Sequence, residues 1–102
     1  MPQKAYVVIA ILNAKAGKEL ELKEALQNVV SPCRAESTCL EYRLHQDLNN
    51  QKKFVFYEIW ESQEAHQLQF KKPYILALAE NTKELLDGSY EVIFAKDISK
   101  TL

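Results

Sequence analysis

Glycine and proline are scarce in this chain, two and three residues among 102, and that scarcity already restricts what it can be. So few chain-bending residues leave little room for linkers or low-complexity segments, and one domain over residues 1–102 is the expectation. Cysteine is equally sparse. Cys33 and Cys39 are the only two, which excludes a disulfide framework and reads as a pair of reduced thiols acting as small hydrophobes. There is no long hydrophobic run either: the apolar stretch Tyr6 to Leu12 is seven residues, against the ~20 that span a bilayer. No small-residue cleavage site follows it, so the expectation is an unexported, cytoplasmic protein with no membrane contact. An excess of one charge is also missing. Thirteen basic residues against 14 acidic ones, scattered and summing to −1, argue against nucleic acid or an anionic surface as partner. His45 and His66 stand far apart in sequence and both are remote from the cysteines, which leaves no metal-ligand spacing. With no glycine-rich phosphate loop and no Ser/His/Asp signature, neither a cofactor nor nucleophilic catalysis is expected.

What is present is periodicity. Tyr6 to Ala14 is a near-continuous apolar run rich in Val and Ile, which predicts a central strand covered on both faces. Leu22, Leu26, Val29, Val30 and Cys33 then form the stripe of an amphipathic helix; Pro32 interrupts it, but Cys33 keeps the phase, so the helix is expected to continue with a kink to about Glu36. Cys39 to Asp47 alternates, with Leu40, Tyr42 and Leu44 on one side and Glu41, Arg43 and His45 on the other. A polar turn, Leu48 to Lys52, predicts an antiparallel hairpin into a third strand, Lys53 to Trp60. Ser62 is a suitable N-cap for a short helix, and Pro73 suits the first turn of another whose stripe runs from Ile75 to Leu86 and ends at Gly88. Tyr90 to Ile98 alternates again as a fourth strand. The order βαββαβ is the ferredoxin-like α+β arrangement, a four-stranded antiparallel sheet with its helices on one face. The other face keeps apolar side chains, and pairing sheet against sheet in a homodimer, a dimeric α+β barrel, would cover them.

The runs AGKELELKEAL, SPCRAESTCLEYRLHQD, KFVFYEIWESQEA and KKPYILAL, and above all CLEYRLHQD followed by FVFYEIWES, resemble the antibiotic biosynthesis monooxygenase domain family. The resemblance covers nearly the whole chain. It implies a small dimeric α+β barrel and, among several reactions, cofactor-independent oxygenation of a small aromatic of quinol type; relatives also process small signalling carbonyl compounds or degrade haem. Many members carry two histidines around the proline of the short-helix region. Here Gln69 and Tyr74 stand at those positions, with Pro73 retained and His66 one helical turn earlier.

The stretch Lys53 to Tyr74 therefore holds the candidate site. Phe56, Trp60, Phe70 and Tyr42 are expected to shape an aromatic wall, although each also has a plain reading as core. Glu58, flanked by Phe56 and Trp60, either pairs with Arg34 or Arg43 or is desolvated and tuned upward as a base. His66 is the other candidate base, or else an exposed helix residue. Gln69 and Tyr74 are hydrogen-bonding groups that would orient a phenolic or carbonyl oxygen. Catalytic roles fall to His66, Tyr74 and Glu58, and substrate contacts to Tyr42, Phe56, Trp60, Gln69 and Phe70. The expected reading is a monooxygenase; an isomerase or degrading enzyme for a small carbonyl compound, and a binding module without turnover, are its rivals.

Overall fold

A computed structural model describes residues 6–99 of the chain. Eight residues of alternating burial form β1 (Tyr6–Asn13), and the amphipathic stripe forms α1 (Glu19–Arg34), burying Leu22, Leu26, Val29 and Cys33. The hairpin follows as β2 (Cys39–Asp47) and β3 (Asn50–Trp60), then α2 (Gln63–Gln69), α3 (Pro73–Thr82) and β4 (Glu91–Ala95). The four strands are antiparallel in the order β2-β3-β1-β4, the ferredoxin-like topology. Register decides which side chains meet the helices. Val8, Ala10 and Leu12 lie opposite Glu58, Phe56 and Phe54, and this face packs beneath α1 to make the core.

Several boundaries differ from the periodicity, each for a local reason. Asp47 pairs with Asn50, and the Asp47 carboxylate accepts the Asn49 N–H at 2.8 Å, so the hairpin turn is tighter than the polar run suggests. A register shift between Cys39 and Glu41 leaves Leu40 as an extra residue on β2, 56% exposed, while Tyr42 is buried. Helix α1 ends at Arg34, with Pro32 inside it, and the Glu36 N–H closes a tighter turn on the Cys33 carbonyl. Helix α3 stops at Thr82, well before Gly88. The end of β1 takes over the backbone there: Lys15 donates to the Leu85 carbonyl, Asp87 to the Asn13 carbonyl, and Leu86 bridges Ala14. Gly88 adopts a left-handed φ of 78° in the loop beyond, a conformation that disfavours any side chain with a Cβ. Strand β4 is the short segment Glu91–Ala95, so Tyr90 and Ile98 fall outside it. Strand β1 lies centrally, yet it is covered by the helices on one face only: Val7, Ile9 and Ile11 share the opposite face with Val55, Tyr57 and Ile59. His45, exposed, pairs with Val55 on that same face.

Candidate active site

Strand β3 contributes the centre of the site because its alternation sends Phe56, Glu58 and Trp60 toward the helices. Glu58 is 5% exposed, and no arginine reaches it. Arg43 pairs with Glu41 on the surface, and the Arg34 Nε donates to the Tyr42 carbonyl at 2.9 Å, which excludes the arginine pairing open to Glu58 in the sequence. Instead the Trp60 indole N–H donates to Glu58 Oε1 at 2.8 Å, and His66 Nε2 stands 3.8 Å from that same oxygen. Burial pushes the Glu58 carboxyl up to about 7, with the indole hydrogen bond pulling the other way.

Helix α2 brings His66 down onto this carboxyl. It starts because the Ser62 hydroxyl caps it, accepting the Ala65 N–H at 3.1 Å. His66 and Gln69, three residues apart, then share its inner face, both buried. The exposed alternative for His66 is thus excluded; the imidazole is 3% exposed and sits among Tyr6, Trp60, Phe70 and Phe94, with ring centroids 4.9–6.0 Å away. That apolar setting holds its pKa below the usual imidazole value. Gln69 Nε2 donates to Cys33 Sγ at 2.8 Å. Both cysteines are free, and desolvation raises Cys33 to about 12 and Cys39 to about 11, so neither is a thiolate at neutral pH.

Between the sheet and helices α2 and α3 lies a cavity of about 230 Å³. Glu58, His66 and Gln69 line one end of it, with Tyr42, Phe56 and Phe70 as aromatic walls. Two residues placed in the site by sequence are elsewhere. Trp60 is packed behind Glu58, 1% exposed, and is not among the lining residues; it meets the site through its hydrogen bond to the carboxyl and its ring contact with His66. The Tyr74 hydroxyl donates to Glu36 Oε2 at 2.7 Å, and Glu36 in turn pairs with Lys72 at 3.4 Å. Tyr74 borders a separate groove between α1 and α3 and is not among the residues that line the cavity. Sequence reasoning missed Ala10 and Thr82 as lining residues. The signal for the first was present: an alanine inside the run VVIAIL leaves space opposite Phe56 where a larger residue would fill it.

Among the described residues there is no cluster of three or more metal-ligating side chains, and no helix is long and apolar enough to cross a membrane. The family profile described as antibiotic biosynthesis monooxygenase matches residues 5–81. The chain belongs to that family. A relative in Synechocystis, an uncharacterized protein, is 28% identical over 86 residues, and the chain spans 58% of that protein's length. Among solved structures, a Pseudomonas aeruginosa protein is 26% identical with a TM-score of 0.90, covering 94% of this chain and 96% of that one. A Nitrosomonas europaea protein, named as a candidate antibiotic biosynthesis monooxygenase, is 16% identical at a TM-score of 0.91, covering 99% and 97%. A Mycobacterium tuberculosis protein is 22% identical at 0.87, covering 96% and 99%. The last two likenesses are of fold. In this chain of the antibiotic biosynthesis monooxygenase family, the polar centre of the site is the buried Glu58–His66 pair with Gln69 beside it.

Proposed function

We propose that this chain is a cofactor-independent monooxygenase that oxidises a small, electron-rich aromatic of quinol type with dioxygen. The observation that carries this reading is a carboxyl with its pKa pushed up to about 7, buried beside an imidazole at the polar end of an aromatic-walled cavity. Glu58 accepts the proton from the substrate hydroxyl, and His66, kept neutral by its burial, stands beside that carboxyl at 3.8 Å as a polar neighbour. The phenolate then passes one electron to dioxygen, the two radicals combine at the neighbouring ring carbon, and the peroxide so formed takes back the proton held at Glu58 to become a hydroperoxide. Loss of water, using the hydrogen of that carbon, leaves a carbonyl. One oxygen atom stays in the product, the other leaves as water, and all the electrons come from the substrate. The protein's contribution is a dry pocket, a base of suitable pKa and orientation by Gln69.

The same base would serve an isomerase or a degrading enzyme for a small carbonyl compound, which would consume no oxygen. Oxygen uptake with a panel of hydroquinones separates the readings. The expected result is uptake that falls at least about 100-fold in kcat/KM in Glu58→Gln, the scale of a lost general base. Uptake that Glu58→Gln leaves unchanged would overturn the proposal. Saturable binding with no turnover of either substrate class would make the chain a binding module.

The functional unit in this reading is a homodimer formed through the open sheet face. Ile9 lies between Tyr57 and Ile93 on that face, with Val7, Ile11 and Ile59 around them, an apolar surface of the kind that a second copy covers.

A further inference from the structure

The cavity has two unlike ends. Val8, Glu58 and Tyr42 form one cross-strand row, and α2 sets His66 and Gln69 over it. Four residues further along β1, roughly 13 Å at strand rise, Leu12 meets Leu26, Leu78 and Leu86. The Ala14–Leu86 bridge pins this second end just past Leu12. Thr82, the buried polar side chain on the way, already donates its hydroxyl to the Leu78 carbonyl at 2.8 Å, so it asks nothing of a ligand. Tyr90, just before β4 and 53% exposed, also lines the cavity.

Charge and size narrow the occupant further. No lysine or arginine is among the described residues that line the cavity, and its one ionisable acid is itself buried. An anionic substituent would lose its water without gaining a cation, and would face Glu58 at one end or leucines at the other. An apolar protein cavity of ~150 Å³ already holds benzene. At about 230 Å³ this one takes a single ring and a few further carbons, and a three-ring phenol overfills it.

We infer that the site is built for an uncharged, single-ring hydroquinone or phenol bearing one short, unbranched apolar chain, its hydroxyl at Glu58 and His66 and its chain along Leu12, Leu78 and Leu86. This deepens the oxygenase reading and rests on it for turnover, whereas binding can be measured independently. The test is calorimetric titration under argon with hydroquinones carrying methyl to hexyl chains, with the same chains ended by a carboxylate, and with a planar three-ring phenol. Affinity is expected to tighten about fourfold per methylene, the scale of one buried CH₂, and to level off once the chain outgrows the cavity. Carboxylate-ended chains should bind at least tenfold more weakly than methyl-ended chains of equal length. In Leu86→Phe the levelling should come at a shorter chain. A series flat in chain length, equal binding of the carboxylates, tighter binding of the three-ring phenol, or no binding at all would each overturn the inference. Chain-length-dependent binding without oxygen uptake would support it while refuting the oxygenase reading, and oxygen uptake with a flat series would do the reverse.

Discussion

Glu58 combines two demands that pull against each other. As a base near neutral pH it must be desolvated, and a carboxyl desolvated in the native state weakens that state wherever it is ionised. With the folded pKa pushed up to about 7 and the unfolded value at 4.5, the folded state holds the proton between those limits and the unfolded state does not. The destabilisation is therefore full above about pH 7 and disappears as pH falls toward 4.5. Glu58→Gln, which keeps an acceptor for Trp60, should be more stable than the parent at about pH 8 by up to ~3 kcal/mol, a gap that closes by about pH 5. Urea unfolding at the two pH values checks this, and a gap independent of pH would refute it. Trp60 acts through that carboxyl as a positioning residue. Its N–H favours the ionised form, so Trp60→Phe should shift the rising limb of the kcat/KM profile to higher pH while the pH-independent plateau falls less. An unmoved limb would leave the indole a purely structural part. The sequence showed Glu58 between aromatics, and it left open whether an arginine neutralises it; only the register of β2 against β3, with Arg43 turned to Glu41, answers that.

At the scale of elements, α2 is the least self-sufficient part of the site. Seven residues make too short a helix to hold itself together in water, and its position depends on the Ser62 cap and on burial of His66 and Gln69. Ser62→Ala removes the hydrogen bond to Ala65 and should lower stability by about 1 kcal/mol, measured by chemical denaturation. A larger effect on turnover than on stability is expected, since the helix carries the imidazole. The periodicity of α1 was legible because its buried stripe has no competing use. The end of α3 was not: Leu85 and Leu86 keep the helical spacing, but their backbone is claimed by the end of β1, a long-range pairing that no local pattern reveals. Tyr74 illustrates the same limit. Its place after Pro73 was read from sequence, while the direction of its hydroxyl, toward Glu36, was settled by the packing of α3 on α1.

For the whole molecule, the open face of the sheet is the feature that one copy leaves unexplained. Ile9 stands at its middle, opposite Tyr57 on one side and Ile93 on the other. An aspartate there would set an uncompensated charge into an apolar seam, so Ile9→Asp should convert a dimer to a monomer in native mass measurements at micromolar concentration. A parent protein that is itself monomeric under those conditions would remove the dimer from the proposal. The helices cover only the face that carries the cavity, so the variant's own site should stay assembled and still bind ligand in calorimetry.

The order of strands and helices, the buried stripe of α1, the alternation of β3 and the concentration of candidate groups between Lys53 and Tyr74 follow from the sequence by itself, because hydrophobic periodicity is a local property. Which of those groups meet was decided only in three dimensions. Glu58 and His66 are separated by a strand end, a cap and a helical turn, and their approach to 3.8 Å depends on the angle at which α2 returns to the sheet. The desolvation that moves the carboxyl toward 7 likewise comes from residues distant in the chain, and burial of this kind is a property of the packed core that no stretch of sequence carries alone.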